Sequence, residues 1–152
     1  MVENLIIDYL NNHEDIAFPA RGDTPRGGDF CYYLVEKTGS TNRNHIHTAQ
    51  IAIQSYGMSK VHAASMNENV IGVMFGITAL PEISACKLNS DYDFTDTAKK
   101  RYRYQAVFDI TYTRSTIPAT ARKNSIISLH SLLTGFLLVQ WHPPKRTHHC
   151  FN

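Results

Sequence analysis

A few short stretches of this chain have residue types and spacings that could do chemistry. Ser84-Ala85-Cys86-Lys87 fits S-x-x-K and Lys37-Thr38-Gly39 fits K-T-G, two of the three marks of penicillin-recognising serine enzymes. They stand in reversed order, the third mark is missing, and the chain is too short to build such a site. His45 and His47 lie two apart, so a strand turns both imidazoles to one face, a spacing a metal ion could use. No carboxylate or cysteine is placed by the sequence to complete that site, and a polar strand end accounts for both. Asp91, Asp93 and Asp96 suggest a calcium loop. The sixth position lacks its glycine, however, and the twelfth, where a bidentate glutamate belongs, is Tyr102, so they read as a charged turn. His148-His149-Cys150 reads as tail. Lys99-Lys100-Arg101-Tyr102-Arg103-Tyr104 mixes cations with aromatics, as surfaces that hold phosphates and stack bases do. On a strand the tyrosines turn to the buried face and leave the cations free, so a solvated strand entry accounts for them. No G-x-S-x-G, G-x-x-x-x-G-K-[ST] or G-x-G-x-x-G occurs. The expectation is a protein with no enzyme activity, no catalytic residue, no metal and no cofactor, whose function lies in its surfaces.

The elements that carry these residues belong to one ordinary soluble domain. A chain of 152 residues, 43% apolar and 18% charged, buries a real core without disulfides or metal. Its charge is unevenly placed: residues 1–113 hold all thirteen acids and ten of the fifteen Lys and Arg. Residues 114–152 hold Arg114, Arg122, Lys123, Lys145 and Arg146 with no acid, a break that marks a tail with its own role. Cys31, Cys86 and Cys150 form no C-x-x-C pair, which favours a reducing compartment, with Cys31 and Cys86 as small buried apolar residues. The opening stretch has neither a basic region nor a long apolar run, so no signal peptide is expected.

Val2, Leu5, Ile6, Tyr9 and Leu10 recur at three- and four-residue spacing and predict a short helix ended by Asn11, Asn12 and His13. Phe18 to Gly28 reads as a short extended piece and a flexible loop, in which Arg21-Gly22-Asp23 is a chance triplet. Asp29 to Lys37 predicts a strand apolar on both faces: Phe30, Tyr32 and Leu34 on one, Cys31, Tyr33 and Val35 on the other. Such a strand needs cover on both sides, and a neighbouring subunit is a natural source for the second. Thr38 to Asn44 predicts the loop of a hairpin whose second strand, His45 to Tyr56, is stopped by Gly57. Ser59 is the expected N-cap of a helix that buries Ala63, Met66, Val70, Val73 and Ile77, with Gly72 and Gly76 weakening its end. Ile83 to Leu88 predicts a short strand and Asn89 to Lys100 a loop. In the last strand Tyr102, Tyr104, Ala106, Phe108, Ile110 and Tyr112 face the core, while Arg103, Gln105, Asp109 and Thr111 face water. The fold class is α+β: a mostly antiparallel sheet of four to five strands with two helices on one face, followed by a C-terminal extension.

Taken in order, the helix, the Gly/Pro-rich lead-in, the aromatic strand ending V-E-K-T-G, the I-A-I-Q strand running into an Ala-rich helix and the closing R-Y-x-Y-Q-x-x-F strand carry a resemblance. Over about residues 3–113 the chain resembles the tail terminator, or tail completion, proteins of long-tailed bacteriophages. That resemblance implies a homomeric ring, a hexamer, that caps the tail tube and meets the head connector, with no enzyme activity and no cofactor. Its partners would be further copies of itself, the tail tube protein, the head-tail connector protein, and DNA passing through the lumen without sequence readout. The protein would be made in the host cytoplasm and end in the tail or neck of the virion. Glu36, Lys37, Thr38 and Gly39 would end the first hairpin strand, and Arg101 and Tyr104 would open the last. The expected subunit or tube interface comprises Tyr33, Val35, Lys37, Ser40, Asn42, Arg43, Arg101 and Arg103.

The scaffold is expected to span residues 1–113 and the basic, apolar extension residues 114–152. Asn124 to Trp141 is too short for a membrane span and is interrupted by His130, Thr134 and Gly135, so it reads as an arm that docks on a neighbour, with no membrane partner. Rival roles are another head-tail connector or neck component, a small metal-dependent nuclease or RNA-binding domain using His45, His47 and the cations from Lys99 to Arg103, and a protein tethered to a membrane by residues 126–141.

Overall fold

A computed structural model describes residues 1–27, 30–44 and 46–113. In chain order these form α1 (Val2–Asn11), β1 (Ala20–Arg21), β2 (Tyr32–Arg43), β3 (Ile46–Gly57), α2 (Lys60–Phe75), a 3-10 turn (Gly76–Ala79), β4 (Ile83–Asp93) and β5 (Tyr102–Tyr112). The strands make one five-stranded sheet in the order β1-β2-β3-β5-β4, antiparallel except for the short parallel pair β1-β2. The architecture is α+β, with both helices on one face of the sheet.

Each helix meets the sheet through the stripe its spacing predicts. Val2, Ile6 and Leu10 of α1 and Met66, Val70, Val73 and Met74 of α2 share a core with Tyr33 and Val35 of β2, Ala49, Ile51 and Ile53 of β3, and Ala106, Phe108 and Ile110 of β5. The Ser59 side chain accepts the His62 N–H at 3.1 Å and caps α2, satisfying a donor that the helix itself leaves open. Gly57 lets α2 fold back directly after β3: a Cβ there would stand 2.6 Å from the Ala63 backbone nitrogen. The two helices are tied by the Tyr9 hydroxyl, which donates to the Val73 carbonyl at 3.0 Å. Asn11 stands in for a strand partner: its side-chain amide donates to the Ala20 carbonyl at 3.0 Å, and its oxygen accepts the Ala20 N–H at 2.8 Å. That clamp holds β1 against β2, where Tyr33 N–H donates to the Pro19 carbonyl.

Several expectations need correction. The stretch Thr38 to Asn44 is not a loop: β2 continues to Arg43 and turns at Asn44, whose φ of 52° an asparagine tolerates better than most residues. Polar, glycine-containing sequence hides a strand here because its partner β3 supplies the pairing. β4 likewise runs to Asp93 rather than stopping at Leu88, carried past Asn89 by a one-residue slip in its register with β5. Phe30 lies outside β2 and is 68% exposed. Residues 114–152, with the expected docking arm, lie outside the described residues, as do Gly28, Asp29 and His45. No helix among the described residues is long and apolar enough to cross a membrane.

Candidate assembly surface

The face of the sheet turned away from the helices carries its own cover. Tyr32, Leu34 and Tyr56 form a second buried cluster there, with the rings of Tyr32 and Tyr56 stacked 4.5 Å apart. The chain between β4 and β5 folds back over that cluster. Arg101 donates to the Tyr32 hydroxyl at 3.3 Å, and the Arg103 guanidinium lies 4.1 Å over the Phe94 ring. Arg103 also donates to the Phe94 carbonyl at 2.7 Å, to Gln54 Oε1 at 3.2 Å and to the Tyr56 hydroxyl at 2.8 Å. Gln54 in turn donates to Glu36 at 2.8 Å. Burial, followed by the charge of Tyr56, pushes the Tyr32 hydroxyl above its ordinary range, against the opposing pull of Arg101.

This geometry overturns the sequence-based expectation of a second cover from a neighbouring subunit. Tyr32 is fully buried and Leu34 is 5% exposed within a single copy. The guanidinium groups of Arg101, just before β5, and Arg103, within it, lie 5.4 and 5.7 Å from the centre of the Tyr56 ring, and Phe94 of the β4-β5 connection packs on Arg103 in turn. The wet face expected for β5 is also only partly wet. Gln105 and Val107 are buried there, Gln105 donating to the Tyr92 hydroxyl, and Asp109 accepts from Asn89 at 2.8 Å.

The eight residues expected at an interface therefore separate. Tyr33 and Val35 are 1% and 2% exposed in the helix-side core and offer a partner no surface. Burial pushes the Tyr33 hydroxyl up to about 12, and it donates to the Met66 carbonyl. Arg101 and Arg103 are not free cations, since both close the aromatic cluster. Lys37, Ser40, Asn42 and Arg43 do come together, along the outer half of β2. Beyond Leu34, no strand among the described residues pairs with the outer edge of β2, and Glu36–Arg43 stand clear of both helices. The opposite edge of the sheet is β4, exposed along most of its length.

Tyr56, Gln54 and Phe94 complete the cluster without having been marked as site residues, and Glu36, expected only to end the first hairpin strand, joins them through Gln54. The signal was the two-residue spacing of Arg101 and Arg103, but a strand pattern gives a face, and only the β3-β5 register sets Arg103 beside Tyr56. His47 stacks on Tyr112 at 5.4 Å, and among the described residues no three His, Cys, Asp or Glu side chains gather as a metal site. At the other end of β4, Lys60 of α2 bonds Asp93 at 2.6 Å, which holds that carboxyl down to about 2. Comparison with protein-family models and with curated proteins finds no match to this chain.

Proposed function

We propose that the chain is a ring-forming structural subunit of a long-tailed phage virion, one that caps the tail tube and joins it to the head connector. The observation that carries this proposal is the outer half of β2. Seven of the eight residues Glu36–Arg43 stand exposed, all but Gly39, on an edge that no described strand pairs. An edge of that length is a template for a further strand, and a ring of identical subunits removes it by closure. The order of elements, from helix through hairpin and helix to two closing strands, agrees with what the resemblance to tail terminator proteins implies. A doubly apolar strand no longer contributes support, because its cover is internal.

In this role the protein works without a cofactor or a reaction. The helix-free face presents side chains already bonded to one another, such as Gln50 to Asp109 and Gln105 to Tyr92, rather than a row of open cations. A face of that kind lets DNA pass a lumen without gripping phosphates or reading bases. A nuclease or RNA-binding role is disfavoured because Arg103 spends its donors inside the protein and Arg101 leans on the same aromatic cluster through the Tyr32 hydroxyl.

The test is native mass and electron microscopy of the purified protein at high concentration, alone and with isolated tail tubes. Closed rings seated on tube ends are expected. Protein that stays monomeric in both conditions overturns the proposal, and protein seated only on the portal side makes it a different neck component.

A further inference from the structure

We infer that the ring closes strand to strand, with the outer half of β2 in one copy adding antiparallel to β4 of the next; this rests on the ring-forming role proposed above. The strand directions carry it first. β2 is antiparallel to β3, β3 to β5, and β5 to β4, so the two outer strands run in opposite directions. A copy related by rotation about an axis along the strands therefore brings its β2 beside β4 in the antiparallel sense. An even number of antiparallel steps would have given a parallel pair instead.

The edges also match in extent. The β2-β3 register slips between Lys37 and Gly39, and the β5-β4 register slips between Leu88 and Ser90 and again between Ile83 and Ala85. The rows regular at both edges are three, ending in Gly39, Ser40 and Thr41 on one side and in Lys87, Cys86 and Ala85 on the other. β1 occupies the inner half of β2 and confines any added strand to that outer region. One row runs Ser40, Ala49, Ile110, Cys86 from edge to edge on the helix side. The next runs Thr41, Thr48, Thr111, Ala85 on the opposite face.

Charge favours this pairing over an edge meeting its own copy. The exposed part of β2 carries Lys37 and Arg43 against Glu36 alone, whereas β4 is balanced, with Asp91 against Lys87 and Asp93 already paired to Lys60. Two β2 edges face each other with excess positive charge, and the mixed pair avoids that repulsion.

Cysteine cross-linking tests it on rings formed at high concentration or on tube ends, in a Cys150→Ser background. Lys37→Cys, Ser40→Cys and Asn42→Cys share the face of native Cys86, and the tilt of the strands about the ring axis sets which of them reaches it. Oxidation with copper-phenanthroline is expected to give a ladder of covalent multimers for at least one of the three, lost on Cys86→Ser. Thr41→Cys, on the wrong face, is expected to give none with Cys86 but to give the ladder when paired with Ala85→Cys in the Cys86→Ser background. Rings by mass with no ladder in any variant overturn strand addition and leave the ring itself standing. Dimers that survive Cys86→Ser in Ser40→Cys show that β2 pairs with itself and overturn it as well. Failure of rings to form at all overturns the proposed function on which it rests.

Discussion

Arg103→Ala separates internal cover from cover by a neighbour. The side chain makes three hydrogen bonds, of 2.7 Å to the Phe94 carbonyl, 2.8 Å to Tyr56 and 3.2 Å to Gln54, and lies 4.1 Å from the centre of the Phe94 ring. A hydrogen bond from a charged donor is worth about 1.5–3 kcal/mol when well buried, and a cation over an exposed ring about 0.5–1 kcal/mol. Arg103 is only half-buried, and Tyr56 keeps a partner after its loss because its hydroxyl donates to Gln54 at 2.9 Å. The contributions therefore do not sum to their maxima, and the expected loss is about 2–3 kcal/mol. Urea unfolding followed by far-ultraviolet circular dichroism measures it, with the slope against denaturant unchanged. Because every partner is in the same chain, the difference between variant and parent is expected to be equal at low and high protein concentration. Arg43→Ala, an exposed change on the β2 edge, is the control and should move stability by less than about 0.5 kcal/mol. A loss for Arg103→Ala no larger than this control, or one that changes with protein concentration, would refute the internal cover.

Other consequences follow from single contacts. Asp93 has its carboxyl held down to about 2, chiefly by its hydrogen bond with Lys60, so its contribution is present above the ordinary carboxylate value and is lost as pH falls through the folded one. Asp93→Asn should flatten thermal stability between about pH 4 and pH 2 relative to the parent, as read by melting curves across that window. Gly57→Ala forces a Cβ to within 2.6 Å of the Ala63 nitrogen and 2.9 Å of its Cα. Since neither backbone atom can yield without moving α2, a loss of at least about 2 kcal/mol is expected in urea unfolding. Ser59→Ala removes the cap on His62 N–H and should cost about 1 kcal/mol, with Ser59→Asp restoring most of it.

Much of the fold was legible because each helix buries one stripe and the central strands keep a regular apolar alternation on the side that meets the helices. The spacing of Val2, Ile6 and Leu10, the Ser59 cap, and the alternation from Ala106 to Tyr112 reappear in the structure in α1, α2 and the core-facing side of β5, whereas Tyr102 and Tyr104 stay half-exposed outside that core. The ends of the edge strands were not legible. Thr38–Arg43 and Asn89–Asp93 are polar and turn-like in composition, and they are strands only because β3 and β5 offer each a continuous ladder. Propensity describes a residue's own preference, whereas an edge strand is held by its neighbour's backbone. The partner of the aromatic face was hidden for a related reason. Arg101 and Arg103 have the composition of a nucleic-acid surface, and nothing local distinguishes a guanidinium bound for phosphate from one bound for a tyrosine 47 residues away in sequence, as Arg103 is for Tyr56.

Internal cover has a consequence for how a ring could assemble. Among the described residues both apolar faces of the sheet are closed, so contact between copies through them draws on edges and rims. Antiparallel addition over the three rows regular at both edges, Gly39–Thr41 with Ala85–Lys87, makes roughly three hydrogen bonds at a net ~0.5–1.5 kcal/mol each. The resulting ~1.5–4.5 kcal/mol lies at or below the ~4–15 kcal/mol that association costs in lost freedom. Strand addition alone therefore leaves free subunits folded and apart in dilute solution. A tube end that gathers several copies removes most of that cost for each after the first, because the later contacts become intramolecular. Weak edges joined to a self-sufficient core thus favour a ring that forms where a tube ends rather than beforehand, which is the behaviour a terminating subunit requires.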